Sequence, residues 1–221
     1  MAKRVLLSWS SGKDAAWALH VLRDDPGVEV VGLFSSVNER YERVSMHATR
    51  AALVARQAAA VGLPLHEVRL PDPCTNEQYR EVMGGFVAEC RAGGIGCMAF
   101  GDLFLEDVRR YREEQLADTG IEPVFPLWGL PTGELADRML AHGLEAYVSS
   151  VDLKKLPVEV AGRRWSRDLI ADLPPGTDPC GENGEMHTIV TNGPMFRERI
   201  DTTVGEIVER DGFAYADIIP V

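Results

Sequence analysis

The sequence contains no apolar run long enough to cross a bilayer, so no membrane partner is expected. It has no stretch of more than two consecutive Lys or Arg. Its 34 acidic residues outnumber 23 basic ones, for a formal charge of −11. The electrostatic footprint that tRNA or DNA requires is therefore missing, and no nucleic-acid partner is expected. Cysteine is sparse and scattered. Cys74, Cys90, Cys97 and Cys180 show no C-x-x-C spacing, which argues against a zinc site or a redox pair. The opening Met1-Ala2-Lys3-Arg4 leads straight into an apolar strand without the h-region of a signal peptide. Reduced thiols in a cytoplasmic protein are the expectation. Internal repeats and low-complexity tracts are absent as well.

What is present is enough apolar material for a full core, 45% of 221 residues. That suits one domain, or one domain with a small extension. Apolar runs alternate with helical patterns: strands are expected at 4–9, 28–37, 65–70, 94–100, 122–125 and 146–151. Helices are expected between them, at 14–24, 47–61, across Tyr79 to Cys90, at 103–118 and at 133–142. This β-α repetition predicts an α/β fold, a parallel twisted sheet with helices on both faces. Near residue 152 the pattern changes to Gly/Pro-rich turns with short elements. The expected organisation is a nucleotide-binding domain over 1–152 and a smaller α+β extension over 153–221.

The stretch Ser10-Ser11-Gly12-Lys13-Asp14 follows the apolar Val5-Leu6-Leu7 and opens a helical pattern. A strand turning through Ser and Gly into a helix points backbone N–H groups and the positive end of the helix dipole at one spot, an anion cradle. Lys13 adds a mobile cation, Ser10 and Ser11 add hydroxyl donors, and Asp14 can hold Mg²⁺ through water. A Walker A loop is excluded, since its first Gly would fall at Leu7 and its Ser/Thr at Asp14. The stretch resembles the S-G-G-K-D-S loop of the PP-loop ATP pyrophosphatases, which cleave ATP between its α- and β-phosphates. In a parallel sheet ligands sit at the carboxyl ends of strands, so Ser35 and Gly101-Asp102 are expected to share the crevice with this loop. Asp14 and Asp102 are the expected metal-facing carboxylates.

Cys180-Gly181-Glu182-Asn183-Gly184-Glu185-Met186-His187-Thr188 is the second chemical stretch. Glycines flanking Asn183 make a tight turn that can set Glu182 and Glu185 on one edge, suited to gripping an amine, holding a metal or acting as a base. A polar hairpin turn is the plain alternative. Cys180 has no assigned His and reads as a structural thiol. His47, after the second strand, faces either the acceptor or the adenylate, or is a surface residue at a helix start. Trp128 in its loop is either a substrate platform or packing, and Arg109 meets either an anionic group or solvent.

In combination these stretches identify the chain as similar to the diphthine–ammonia ligase family, a divergent member of the adenine nucleotide alpha-hydrolase-like group. That family joins its PP-loop to a G-E-G-G-E-[FY]-E-T segment. Here Gly181 to Thr188 stands in that place, followed by Asn192-Gly193-Pro194-Met195-Phe196 for D-x-P-x-F. Met46-His47, Gly62-Leu63-Pro64-Leu65 and Leu127-Trp128-Gly129 match further segments in the same order. The departures are Ser11 for a Gly, Ala15 for a Ser, His187 for a Glu, and Asp102 for a small residue. The family's S-x-Y-Q-R-x-R helix is here Leu105 to Tyr111, which keeps Arg109. The resemblance implies an AMP-forming ligase using ATP and Mg²⁺. Lys13, Asp14, Glu182 and Glu185 would be catalytic, while His47, Trp128, Arg109 and His187 would face the substrate. Its partners would be ATP, a carboxylate acceptor on a small molecule or a protein, and ammonia or an amine, with a homodimer compatible. A regulatory protein that binds ATP or AMP without turnover is the competing reading.

Overall fold

The protein is described here by a computed structural model over residues 2–44 and 49–221. His47 lies outside the described residues.

Strand β1 (Lys3–Ser8) buries Val5, Leu6 and Leu7 on both of its faces, which fits a strand in the middle of a sheet. It pairs in parallel with β2 (Val28–Asn38) on one side and with β5 (Cys97–Ala99) on the other. Outside these lie β4 (Leu65–Leu70) against β2 and β6 (Glu122–Val124) against β5, both parallel. The short β3 (Arg43–Val44) runs antiparallel to the end of β2. The parallel order is therefore β4-β2-β1-β5-β6, and it reverses direction at β1. That is the switch point at which a crevice opens beyond the strands' carboxyl ends.

Helices cover both faces, as expected. Val5 and Leu7 point to the side of α1 (Lys13–Arg23) and α2 (Ala51–Val61), while Leu6 points to the side of α3 (Asn76–Ala92) and α4 (Glu106–Leu116). Helix α2 ends at left-handed Gly62, and α3 starts with a reciprocal cap between Thr75 and Gln78. The apolar stripe of α3 is only partly buried. Val87 and Cys90 are buried, but Tyr79, Met83, Gly84 and one side of Val87 line an open cavity, so this face is shared between core and crevice.

The strand expected at 146–151 exists as β7 (Glu145–Asp152), after α5 (Thr132–Ala141), but it does not extend the parallel sheet. It sits within a second, antiparallel sheet, pairing with β8 (Arg164–Trp165), β9 (Met186–Asn192) and β11 (Phe213–Pro220). The edge strand β10 (Thr202–Arg210) completes that sheet as a hairpin with β11, and α6 (Arg167–Asp172) lies between β8 and β9. Ala146, Val148 and Val151 are fully buried, and Ser149 and Ser150 nearly so, so the middle of β7 is covered on both faces, as a central parallel strand also is. Strand pairing, which composition does not encode, decides the sheet.

Gln57 of α2 ties the two sheets together although it is completely buried. Its carbonyl accepts from Trp9 Nε1 at 2.8 Å, and its amide donates to the carbonyls of Ser11 (3.1 Å) and Val190 (2.7 Å). Replacing it with Leu strands these groups away from water, at a cost of at least about 2 kcal/mol. Gln57→Leu is expected to lower the thermal midpoint by roughly 4–8 °C in a chain of this size. An unchanged midpoint would contradict this role for Gln57.

Candidate active site

The turn after β1 is built to present backbone toward the switch point. Trp9 N–H donates to the Phe34 carbonyl at 2.7 Å, and Ser11 takes the left-handed conformation at φ 75°. Ser11 is fully buried. Its hydroxyl pairs with Thr49 at 2.7 Å, while its carbonyl accepts from Val190 N–H at 3.0 Å. The Ser11 side chain therefore holds the turn and does not line the crevice. Gly12 is the N-cap of α1 and makes no side-chain cap, which leaves the helix's positive end aimed at the crevice. Ser10, Gly12, Lys13 and Asp14 line that crevice together with Gly101, Asp102, Glu182 and His187.

Lys13 is not the mobile cation that its place in the loop suggests. It is 2% exposed, and its ammonium donates to Asp14 Oδ2 at 2.8 Å and to the Cys180 carbonyl. The ring of Trp165 lies 5.6 Å away. Burial opposes its charge, but Asp14, Cys180 and Glu182 outweigh that and hold the ammonium above its usual range. The Asp14 carboxyl is raised by burial and pulled back by Lys13. One of its oxygens, Oδ1, is buried without a partner.

Across the crevice, Gly101 packs directly on the first turn of α1. A Cβ at this position would lie 2.9 Å from Ala15 N and from Asp14 C, so only glycine lets the β5 loop come this close. This approach brings Asp102 into the field of Asp14. Burial raises the Asp102 carboxyl, Arg112 pulls it down, and Asp14 adds to the rise.

The turn at 180–188 reaches the same crevice from the second sheet. Gly181 sits at φ 72°, and a Cβ there would meet the Met186 carbonyl at 2.7 Å. Thr188 Oγ1 accepts from Lys13 N–H at 3.2 Å, stitching β9 to the start of α1. The two glutamates separate in role. Glu182 lines the crevice, where its Oε1 accepts from Leu103 N–H at 2.7 Å. Burial raises its carboxyl to about 7, against the pull of the Leu103 N–H, with Asp14 and Asp102 reinforcing the rise. Glu185 turns inward at 5% exposure, and its Oε1 accepts from Asp178 N and Asn183 Nδ2, both at 3.2 Å. It braces the turn and does not join Glu182 on one edge. The His187 imidazole is lowered to about 4 by burial, with the charge of Lys13 adding to the effect.

A second cavity of about 460 Å³ opens beside this crevice of about 450 Å³. It is lined by Ser35, Phe34, Tyr79, Met83 and Phe100, and it shares Ser8, Ser10, Phe100 and Arg112 with the crevice. Ser35 Oγ donates to the Trp9 carbonyl at the cavity wall. Trp128 and Arg109 line neither space. The Arg109 guanidinium lies 4.8 Å from the Trp128 ring and 4.9 Å from the Phe125 ring, and it donates to Glu113 at 2.8 Å. They form a packed surface cluster instead. The residue that reasoning from sequence passed over is Arg112, three positions further along α4. A signal was present, because Arg112 is i+4 from Val108 and i+7 from Leu105, and all three line the crevice.

The fold and crevice define a doubly wound α/β protein whose polar site is completed by a second sheet. Family models place it more narrowly. The diphthamide synthase N-terminal domain matches residues 3–123, and the diphthamide synthase C-terminal domain matches residues 132–218. The chain belongs to this diphthamide synthase family. It is also similar to a diphthine--ammonia ligase of Schizosaccharomyces pombe, 30% identical over 114 residues. That match takes in 48% of this chain and 18% of the yeast protein, so the chain spans less than a fifth of that relative's length. Among the described residues, no helix is long and apolar enough to cross a membrane.

The opposite shifts of Glu182 and His187 give a pH signature. A carboxyl raised on folding binds its proton more tightly in the native state, so its contribution erodes stability as pH rises from 4.5 to about 7. An imidazole lowered on folding adds stability as pH rises from about 4 to 6.5. The two slopes oppose one another across pH 4.5–6.5. In urea titrations, Glu182→Gln is expected to show a midpoint that climbs through this window relative to the parent protein. His187→Gln is expected to show one that falls. Parallel profiles for the two variants would contradict the assignment.

Proposed function

We propose that this protein is an ATP-dependent, AMP-forming ligase that activates a carboxylate and joins it to ammonia or an amine. The observation that carries the reading is the convergence of three segments on one crevice: the N-terminal turn of α1, the Gly101-Asp102 loop, and the Glu182 turn. Family membership and the likeness to a diphthine--ammonia ligase support the same chemistry.

In this reading the nucleoside occupies the more apolar cavity beside Phe34 and Phe100, and the phosphates extend over Ser10 to Asp14. A carboxylate oxygen of the acceptor attacks the α-phosphorus, and the bond to the bridging oxygen of the β-phosphate breaks to release pyrophosphate. The amine then attacks the acyl carbon, AMP leaves with the electron pair of the broken C–O bond, and the amine's proton passes to Glu182. A carboxyl near 7 is matched to that transfer at neutral pH. Lys13 and the α1 N-terminus supply fixed positive charge where charge builds on the phosphate.

Magnesium suits the same place. Asp14 Oδ1 and Asp102 Oδ2 are buried without hydrogen-bond partners and belong to carboxylates that face one another's field. Two carboxylates, with phosphate oxygens and water, are a typical magnesium environment. Bound there, the ion would neutralise phosphate charge.

The test uses ATP, Mg²⁺, ammonium and a panel of small carboxylates with the parent protein, Lys13→Gln and Glu182→Gln. Lys13→Gln is expected to weaken ATP binding roughly ten- to a hundredfold, the scale of a charge-assisted phosphate contact. Glu182→Gln is expected to keep ATP affinity within about twofold while acceptor-dependent AMP formation falls on the order of a hundredfold. ATP affinity unchanged in a folded Lys13→Gln variant would overturn the nucleotide site. Tight ATP binding by the parent with no AMP from any acceptor would favour a regulatory nucleotide-binding protein.

A further inference from the structure

Arg112 stands at the boundary of the two cavities and lines both. Its guanidinium carbon lies 4.9 Å over the Phe100 ring, just past the end of β5. Its Nε is buried without a hydrogen-bond partner, and so is Asp102 Oδ2. These two atoms are 3.6 Å apart, close enough to attract and too far to hydrogen-bond. A buried donor left unsatisfied is costly and commonly marks the place of a ligand that accepts hydrogen bonds, as a phosphate does; the Asp102 oxygen, an acceptor, calls instead for a cation. The groups around them come from three elements: Ser10 after β1, Asp102 after β5, and Lys13 and Asp14 at the start of α1.

We propose that Arg112 is a phosphate-binding residue that receives the nucleotide's phosphate chain where the two cavities join. This rests on the nucleotide reading above and assigns a residue that reading does not need. An anion lying between the α1 N-terminus and Arg112 meets positive charge on both sides. The planar fork of a guanidinium matches two phosphate oxygens at once, which a lysine ammonium does not do. Arg109 does not take this role, because its guanidinium is held between Phe125, Trp128 and Glu113. If Arg112 served only to neutralise Asp102, a lysine's charge would do as well and Arg112→Lys would restore ATP affinity in full, an outcome that would overturn the inference.

The experiment measures the affinity of adenosine, AMP and ATP for the parent, Arg112→Gln, Arg112→Lys and Lys13→Gln, with thermal midpoints for each. Arg112→Gln is expected to weaken ATP roughly ten- to a hundredfold and to leave adenosine within about twofold. Arg112→Lys is expected to restore part of the loss, as a cation without the fork. Equal losses for adenosine and ATP, or no loss for either, would overturn the inference. If Lys13→Gln weakens ATP while Arg112→Gln does not, only the role of Arg112 fails. If neither variant weakens ATP, the nucleotide reading fails with it.

Discussion

The backbone from Ser11 to Lys13 holds the two sheets against each other, and the crevice depends on that seam. Ser11 takes hydrogen bonds from Val190 of β9 and from Gln57 of α2, while Lys13 N–H bonds Thr188 and its ammonium reaches the Cys180 carbonyl. Each contact joins residues more than 40 positions apart in the chain, and most of them join the parallel sheet to the antiparallel one. A turn that would otherwise end in solvent thereby becomes the floor of an enclosed site. The left-handed Ser11 is tolerated because its hydroxyl and its carbonyl are both engaged.

Electrostatics follow from this enclosure. Asp14, Asp102 and Glu182 face one space, and burial raises all three carboxyls. Among the described residues, Lys13 and Arg112 are the cations lining the same space, and Lys13 is already committed to Asp14. Such a balance suits a ligand that brings both anionic phosphate and a cation or an amine. It also explains why Glu182 and Glu185, three residues apart, have different jobs. The turn at Asn183-Gly184 points one carboxylate at the crevice, and Asp178 N–H and Asn183 draw the other inward as a brace.

Much of the parallel sheet was legible in the sequence, because Val28 to Asn38 is a largely apolar run and Val68 and Leu70 alternate with charged neighbours, both stretches bounded by helical patterns and turns. Gly62 marked the end of α2 for the reason that only glycine enters the left-handed region freely. The sheet membership of β7 was not legible, since a strand buried on both faces reads alike in either sheet. The β10–β11 hairpin did carry a signal in Asp211-Gly212, both at positive φ, the residues a tight hairpin turn favours. In the site, residues on loops after β1 and β5 could be grouped from topology alone. Side-chain direction could not: Lys13 is buried and not mobile, Ser11 faces Thr49, and Arg112 takes the crevice position while Arg109 packs on Trp128. Arg109 and Arg112 are three positions apart on α4, a rotation of about 300° that leaves them only about 60° apart around the helix, so helical spacing alone does not choose between them.

On the proposed reading, the α-phosphate of ATP lies between the α1 N-terminus and the Glu182 turn. A structure with α,β-methylene-ATP, which resists cleavage at that bond, tests it most directly. The expected result has the nucleoside in the cavity beside Phe34 and Phe100, with the α-phosphate over Gly12 to Asp14 in the crevice that Glu182 lines. A nucleotide whose γ-phosphate occupies that turn, or whose phosphates point away from Glu182, would contradict the account.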